Sequence, residues 1–369
     1  MIKINELVPS ASMELTRMAK VIKDEGRKVY TLSIGDTHFS LPRSISSKLH
    51  SLPEISSHYG PAQGVFELRK AMAERYTGYE PDDVVIVPGL KQGFFYALEA
   101  IEKKRVAVLE PSWLGYKATC TLAGCDYIPV NTYLPNWKKT LKDIDFDVLM
   151  LCSPNNPDGG ILSKNEILDL REIIASKNAW VFVDIIYERY AYGRTNLLTR
   201  LNPLLDYTKI LIGNGFSKSH AMTGYRVGYL MIKDQNVRTN ILLIQQNLAT
   251  CASSHAQHLL TLCPDPEEIS YFSEYYEGNR EAVLKIFPEW SKFTPKGGFY
   301  FFVDLTIYGI TDASEFCAKA LMNDGIAMVP GSAYGTGFDN YVRVSFSLDR
   351  SELKEALNKL KNVIKTYYA

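Results

Sequence analysis

The side chains best suited to chemistry stand at the ends of short apolar runs that have the length of strands. Lys218 follows the run at 210–212, Asp184 ends the run at 180–183, and Asn156 comes soon after the run at 148–151. A lysine amine whose pKa is lowered can form an imine with a carbonyl compound and can move a proton. These residues could therefore perform covalent chemistry at a lysine, provided that the fold brings them to one place.

The elements predicted from the sequence would bring them together. Short β-branched runs alternate with amphipathic stretches such as 162–176, where Ile167, Leu170 and Ile174 share one helical face. This alternation is typical of an α/β fold with a mostly parallel sheet. In such a sheet, ligands bind beyond the carboxyl ends of the strands. The runs predicted as strands are 84–87, 106–109, 148–151, 180–183, 210–212 and 228–232.

The chain of 369 residues exceeds the usual size of one compact domain, and its pattern changes near residue 265. Later helices and strands are predicted at 269–287, 298–303, 314–324, 341–346 and 351–367. They indicate a smaller α+β domain, and residues 1–45 do not share the rhythm of the sheet. We therefore expect a large domain at 46–265 and a small domain made of 1–45 and 266–369.

The composition argues against several classes of protein. Lys+Arg and Asp+Glu both number 41, so the charge does not favour nucleic acid as a partner. The six cysteines form no CxxC pair, so we expect neither a metal site nor a disulfide framework. We find no signal peptide and no run of about eighteen apolar residues, so we expect a cytoplasmic protein with no membrane partner. No glycine-rich nucleotide-binding motif follows the first strand.

A series of short motifs runs through the chain in order. They are Pro9-Ser10-Ala11-Ser12, His58-Tyr59-Gly60 with Gly64 and Leu68-Arg69, Ser153-Pro154-Asn155-Asn156-Pro157-Asp158-Gly159, Asn214-Gly215-Phe216-Ser217-Lys218 through Gly224-Tyr225-Arg226, Gly297-Gly298-Phe299-Tyr300, Val329-Pro330-Gly331-Ser332 and Arg343-Val344-Ser345. Together they resemble the class I aminotransferases, the aspartate-aminotransferase-like branch of the pyridoxal-phosphate enzymes of fold type I. The resemblance covers nearly the whole chain.

The resemblance implies an aminotransferase that uses pyridoxal 5'-phosphate to move an amino group between an amino acid and a 2-oxo acid. It implies a three-layer large domain with a seven-stranded, mostly parallel sheet. The lysine matching Lys218 holds the cofactor as a Schiff base, and the aspartate matching Asp184 keeps the pyridine nitrogen protonated, so that the ring accepts electrons. Residues matching Tyr187 and Asn156 hydrogen-bond the phenolate oxygen of the ring.

The resemblance also assigns the binding residues. Trp113 would stack on the ring, because indole offers a large flat face. Arg343 would clamp the substrate α-carboxylate, and Gly35 and Asn156 would also contact the substrate. Tyr59 resembles a tyrosine that reaches the phosphate of the neighbouring subunit, which implies a homodimer. The phosphate of the same subunit is assigned to a helix N-terminus and nearby side chains, namely Gly89, Leu90, Lys91, Ser217 and Arg226.

Two departures from the family pattern leave the substrate open. The first substrate loop reads Gly35-Asp36-Thr37-His38-Phe39 where the family has Gly-x-Pro-Asp-Phe, and no distal arginine can be assigned to a second carboxylate. An alternative reading is a pyridoxal-phosphate-dependent lyase, cyclase or replacement enzyme on the same scaffold. A third reading, the sensing domain of a transcription regulator, needs a DNA-binding segment for which the matched chain leaves no room.

Overall fold

The computed structural model of the protein describes residues 7, 11–102, 105–193 and 196–368, so Pro9 and Ser10 of the first motif lie outside the described residues. The strands are β1 (Tyr30–Thr31), β2 (Val84–Val87), β3 (Arg105–Glu110), β4 (Asp126–Asn131), β5 (Val148–Cys152), β6 (Trp180–Asp184), β7 (Ile210–Gly215), β8 (Gly228–Met231), β9 (Tyr300–Asp304), β10 (Ile326–Ala327), β11 (Val329–Pro330) and β12 (Tyr341–Ser345). The α-helices are α1 (Ala11–Asp24), α2 (Arg43–Ser46), α3 (Phe66–Ala73), α4 (Leu90–Ile101), α5 (Gly115–Leu122), α6 (Trp137–Asp143), α7 (Lys164–Ser176), α8 (Leu197–Leu205), α9 (Gln235–Leu248), α10 (Ser254–Leu262), α11 (Glu268–Ile286), α12 (Ala313–Asp324) and α13 (Arg350–Tyr368).

The largest sheet has seven strands in the order β2-β8-β7-β6-β5-β3-β4. Strands β4, β3, β5, β6 and β7 run parallel, whereas β8 is antiparallel to both β7 and β2. The predicted seven-stranded, mostly parallel sheet is therefore confirmed. One edge of the sheet collects the carboxyl ends of the parallel strands and of β2, together with the amino end of β8. The loops at this edge carry Gly89, Trp113, Asn156, Lys218 and Arg226.

Alternate residues of a strand pack on opposite faces of this sheet. In β2, Val84 and Ile86 join one buried cluster, whereas Val85 and Val87 join another. The first cluster includes side chains of α3, α7, α8 and α10, and the second includes side chains of α4, α5 and α9. Helices thus cover both faces, which gives three layers and explains why the central strands read as continuous apolar runs.

Strand β4 is the part of this sheet that the sequence pattern did not predict. It lies at the edge, pairs only with β3, and contains Pro129. Val130 is its single buried residue. An edge strand faces solvent along one side and tolerates proline, so it needs no continuous apolar run.

A second core surrounds the antiparallel sheet β11-β12-β9. The N-terminal segment joins it, because β1 pairs with β10 and the backbone N–H of Ser345 donates to the Leu32 carbonyl oxygen at 2.7 Å. Leu32 lies in the buried cluster that also holds side chains of α11, α12 and α13. The N- and C-terminal segments therefore pack together, while the domain limits at residues 45 and 265 stay a prediction.

Among the residues that the structure describes, no helix combines the length and apolar character that crossing a membrane requires. The same residues contain no cluster of three or more histidine, cysteine, aspartate or glutamate side chains that could hold a metal ion.

Gly159 joins the loop that carries Asn156 to the second core. Its carbonyl oxygen accepts the backbone N–H groups of Lys296 at 3.0 Å and Gly297 at 3.1 Å. Its φ is +65°, and a Cβ at this position would collide with the Gly297 carbonyl oxygen and with Pro295. Glycine meets both requirements, because it adopts a positive φ without strain and has no side chain to block the approach.

We predict that Gly159→Ala destabilises the cofactor-free protein by roughly 2 kcal/mol or more, because backbone strain adds to the collision. Gly124→Ala is the matched control, since Gly124 has a φ of +64° and open space where a Cβ would lie. Scanning calorimetry should give a clearly lower melting temperature for Gly159→Ala than for Gly124→Ala. Equal melting temperatures would show that the close approach at Gly159 contributes nothing.

Candidate active site

A cavity of about 350 Å³ lies at the edge of the large sheet where the strands end. Most residues predicted for the site reach its wall, namely Gly35, Leu90, Lys91, Trp113, Asn156, Asp184, Tyr187, Ser217, Lys218, Arg226 and Arg343. Gly35 and Arg343 come from the N- and C-terminal segments, and the others come from the start of α4, the end of β6 and the loops at the sheet edge. The cavity is therefore formed between the two cores.

Lys218 lies in the connection from β7 to β8 and points its amine into the cavity. The amine donates a hydrogen bond to the Gly35 carbonyl oxygen, and the hydroxyl of Tyr190 donates to the carbonyl oxygen of Lys218 at 3.0 Å. Burial lowers the pKa of Lys218 to about 8, although the charge of Asp36 opposes this change. The free amine is therefore far more populated near neutral pH than in an ordinary lysine, as a nucleophile or base requires.

Asp184 is the last residue of β6 and is only 4% exposed. Its Oδ2 accepts the hydroxyl of Tyr116 at 2.6 Å, and its Oδ1 accepts the backbone N–H of Ile186 at 2.9 Å. Burial raises the pKa of Asp184 to about 6, and both hydrogen bonds limit this rise. The carboxylate is therefore mostly ionised at neutral pH, despite its removal from water.

Tyr116 is a functional side chain that the sequence analysis missed. It lies in the first turn of α5, where its ring stands edge-on to that of Trp113 with 5.3 Å between the ring centroids. Burial raises the pKa of Tyr116 well above its ordinary value, so its hydroxyl keeps the proton that Asp184 accepts. The available signal was its spacing of three residues from Trp113, which one helical turn would place on the same side.

One part of the cavity wall is cationic. Helix α4 begins there, and Gly89 precedes it with a φ of +81°. A Cβ on Gly89 would lie 2.5 Å from a guanidinium nitrogen of Arg226, so the glycine lets Arg226 approach the start of the helix. Burial and the charge of Arg226 both lower the pKa of Lys91. Two cations beside a helix N-terminus form a site that suits a phosphate.

Arg343 brings a buried positive charge to another part of the wall. Its guanidinium donates to Asn156 Oδ1 at 3.1 Å and to the Ser33 carbonyl oxygen at 2.6 Å. Its Nε is buried and has no hydrogen-bond partner among the described residues. The ring of Tyr300 lies 4.1 Å from the guanidinium carbon, and the hydroxyls of Tyr300 and Tyr187 are 3.0 Å apart. A planar cation with donors to spare is well suited to a carboxylate.

Tyr59 lies away from this cavity. Its side chain is 85% exposed, and it does not contribute to the cavity wall of its own chain. Its role at a neighbouring subunit stays a prediction.

Comparison with known proteins assigns this architecture to one family. Residues 27–360 match the family model described as aminotransferase class I and II. An aspartate aminotransferase from Thermotoga maritima is 29% identical to this protein, and the match covers 98% of both chains. A (5-formylfuran-3-yl)methyl phosphate transaminase from Methanocaldococcus jannaschii is also 29% identical, and the match covers 95% of this chain and 96% of that one. The crystal structure of an aspartate aminotransferase from Thermotoga maritima has a TM-score of 0.87 at 27% identity, and the match covers 98% of this chain and 99% of that one.

We predict that Tyr116→Phe raises the pKa of Asp184 further above about 6, because the change removes a hydrogen bond to the carboxylate. A hydrogen bond to a charged group contributes roughly 1.5–3 kcal/mol, so the titration midpoint should rise by about 1–2 pH units. Carbon-13 NMR of labelled aspartate carboxyls in the cofactor-free protein would measure it, and Asp184→Asn would identify the signal.

The pH dependence of folding stability should shift together with the pKa of Asp184. Because the folded pKa of Asp184 lies above the ordinary value of 3.8, its ionisation opposes folding as the pH rises from 3.8 to about 6. Tyr116→Phe should extend this loss of stability to higher pH. Tyr127→Phe is the matched control, because it removes a 2.6 Å hydrogen bond to another buried carboxylate, Glu110. If the titration midpoint of Asp184 were the same in Tyr116→Phe as in Tyr127→Phe, the hydrogen bond from Tyr116 would not be what limits the pKa of Asp184.

Proposed function

The chain belongs to the class I and II aminotransferases, and from this membership we propose that Lys218, Asp184 and Arg343 perform its reaction. The protein is a pyridoxal-phosphate-dependent enzyme that transfers an amino group between an amino acid and a 2-oxo acid. Its named relatives are transaminases, which supports amino transfer over elimination, cyclisation or replacement. We assign these roles to the three residues because one cavity holds a lysine of lowered pKa, a buried carboxylate and a buried arginine.

The wall of the cavity fits pyridoxal phosphate group by group. When bound, the cofactor supplies an aldehyde that links to amines and a ring that accepts the electron pair left at the amino acid's Cα. The cationic wall at Arg226, Lys91 and the start of α4 suits its phosphate, with Ser217 nearby. Trp113 offers a flat face for its ring. These matches support the assignment of Gly89, Leu90, Lys91, Ser217, Arg226 and Trp113 to cofactor binding.

Asp184 would control the protonation of the pyridine nitrogen. Its carboxylate is held by Tyr116 and by the N–H of Ile186, and the surrounding burial strengthens any charge interaction that it makes. An ionised carboxylate next to the ring nitrogen favours the protonated nitrogen, and a protonated ring withdraws electrons more strongly. Tyr187 and Asn156 are the neighbouring donors that we assign to the phenolate oxygen of the ring.

Lys218 would have two roles in sequence. Its amine would hold the cofactor, which would supply an aldehyde for the attachment. When the amine is free, its Nζ would remove the proton from the substrate Cα, and a positioned base of this kind accelerates a reaction about 10²–10⁴-fold. Burial suits Lys218 for both steps, because it lowers the pKa of the amine to about 8.

Arg343 would orient the substrate. The remaining donor capacity of its terminal guanidinium nitrogens can hold the α-carboxylate, while Asn156 fixes one side of the guanidinium at 3.1 Å. Gly35 lines the same region and leaves room for the substrate, since a Cβ there would already lie 3.4 Å from the hydroxyl of Tyr300. The amino acid is thereby held with its Cα near Lys218.

We also propose that the protein forms a homodimer. Tyr59 is 85% exposed, and the nearby Ile55 and Phe66 are 61% and 51% exposed, so this surface offers apolar area to a second subunit. We assign the hydroxyl of Tyr59 to the cofactor phosphate of that subunit.

We predict that Lys218→Ala abolishes covalent attachment of the cofactor and lowers the rate of amino transfer by at least about 10³-fold, because the nucleophile and the base are lost together. Borohydride treatment of the wild-type holoenzyme followed by mass spectrometry should place the cofactor on the peptide that contains Lys218. Lys91→Ala is the control and should keep the attachment at Lys218. Attachment to a different lysine in the wild type would overturn the assignment.

We also predict that mixed dimers of Tyr59→Phe and Lys218→Ala contain one intact site. If Tyr59 acts across the interface, both changes fall in the same site and the other site stays wild type. Such dimers should have about half the activity of the wild-type dimer, clearly more than the mean of the two parent variants. Activity equal to that mean would indicate that Tyr59 acts within its own subunit or not at all.

A further inference from the structure

Two charged side chains behind the cavity have no part in the roles proposed so far. Glu188 follows Tyr187 directly, and both of its carboxylate oxygens accept from Nη2 of Arg75 at 2.8 Å. The side chains of Glu188 and Arg75 are 11% and 20% exposed, and neither belongs to the described wall of the cavity. Such an ion pair adds little net stability, because both charges lose hydration. Its short, charge-assisted hydrogen bonds do hold the carboxylate in one orientation.

Glu188 also holds the strand that leads to Lys218. Its Oε2 accepts the side-chain amide N–H of Asn214 at 2.9 Å. Asn214 lies in β7, four residues before Lys218, and the same amide nitrogen donates to the hydroxyl of Tyr76 at 3.1 Å. The Oδ1 of Asn214 accepts the backbone N–H of Gly215 at 2.8 Å, so both ends of the amide are fixed. The carboxylate of Glu188 is therefore linked to the end of β7, from which the Lys218 connection departs.

Tyr190 contacts the same connection at a second point. Its hydroxyl donates to the carbonyl oxygen of Lys218 at 3.0 Å. The backbone N–H of Ala221 donates to that oxygen at 3.5 Å, which is a weaker contact within the local turn. Tyr190 is completely buried, and burial raises its pKa well above the ordinary value, so the hydroxyl keeps its proton. The turn at 188–190 thus holds the segment 214–218 at both of its ends.

The paired strands of the sheet end before Lys218. The last paired residue of β7 is Gly215, three residues earlier. The turn at 188–190, by contrast, is continuous with the end of β6, because its first backbone N–H donates to the Ile185 carbonyl oxygen at 2.8 Å. The end of β6 carries Asp184. The turn therefore supplies a link that the sheet does not, between the lysine and the carboxylate of the site.

We propose that Glu188 and Tyr190 are positioning residues that hold Lys218 in a fixed geometry with the carboxylate of Asp184. This inference rests on the proposed role of Lys218 as nucleophile and base. Neither Glu188 nor Tyr190 belongs to the described cavity wall, so both act through the lysine. A reacting group that is displaced by about 1 Å can lose roughly 10²-fold in rate, so a looser Lys218 segment should slow the proton transfer. Binding of the α-carboxylate at Arg343 should be largely unaffected.

The first test follows the surroundings of the Lys218 amine through its pKa in the cofactor-free protein. Tyr190→Phe removes one hydroxyl and keeps the ring. A looser segment lets water reach the amine, so the titration midpoint should rise by about 0.5 pH unit or more from about 8. Carbon-13 NMR of lysine labelled at Cε would measure the midpoint, and Lys218→Ala would identify the signal. Tyr207→Phe is the matched control and should leave the midpoint unchanged, because its buried 2.9 Å hydrogen bond to the Ala179 carbonyl oxygen lies at the start of β6, whereas the site lies at the end of that strand.

Glu188→Gln gives a second test, because electrostatics and positioning predict opposite signs. Loss of a negative charge without any movement would lower the pKa of Lys218, since a nearby anion favours the charged amine. Loss of the fixed geometry should raise that pKa, as in Tyr190→Phe. The charged groups that act on the amine remain in both variants, namely Asp36, Asp184, Arg226 and Arg343.

The half-reaction of the holoenzyme separates positioning from binding. With the common amino acid that wild type converts fastest, Glu188→Gln should lower the maximal rate by about tenfold or more. KM should change by less than about threefold, because Arg343 is untouched. Asp83→Asn is the matched control, since it removes the charge from an ion pair with Arg238 in which the side chains are 16% and 17% exposed. This control should change both values by less than about threefold.

The inference fails if the midpoint of Lys218 does not rise in Tyr190→Phe, or rises as much in Tyr207→Phe. An unchanged or lower midpoint in Glu188→Gln would overturn the positioning role of Glu188, and if this variant does not fold, Tyr190→Phe decides. A failure of the underlying function would look different. If the midpoints rose as expected and wild-type holoenzyme converted no amino acid, the positioning of Lys218 would stand and its proposed role in the reaction would be wrong.

Discussion

For the role that we propose, the carboxylate of Asp184 must stay ionised where water scarcely reaches it. An isolated buried carboxylate would take up a proton, because burial raises its pKa. The protein limits this effect with two donors, the hydroxyl of Tyr116 and the backbone N–H of Ile186. The same burial makes the charge effective, since a low-dielectric environment strengthens its interaction with a nearby cation. A protonated pyridine ring is such a cation.

The parallel sheet makes this arrangement possible. Asp184 is paired in register with Cys152 at the ends of β6 and β5, and the connection that follows β7 carries Lys218. Residues far apart in the chain therefore meet at one edge, each held by a buried strand. The second core closes the cavity through three cross-contacts: Arg343 with Asn156, Lys218 with Gly35, and Thr223 with Asp36. The substrate region exists only where the two cores meet.

Sequence reasoning predicted the residues whose types are dictated by covalent or ionic chemistry, and the structure brings these residues to one cavity. Lys218, Asp184, Arg226 and Arg343 all reach the cavity wall, and β6 and β7, which lead to Asp184 and Lys218, read as buried apolar runs. It failed where tertiary contact decides. Tyr116 resembles any core aromatic until its hydroxyl is seen to meet Asp184, and β4 is an edge strand without an apolar run.

The protonation state of the cofactor's ring nitrogen is the decisive measurement for the role proposed for Asp184. Nitrogen-15 NMR of the protein loaded with pyridoxal phosphate labelled at this nitrogen would report that state, with Asp184→Asn as the comparison. We expect a protonated nitrogen in the wild-type protein near neutral pH and an unprotonated one in Asp184→Asn. An unprotonated nitrogen in the wild-type protein, or the same signal in both proteins, would refute the proposed role of Asp184.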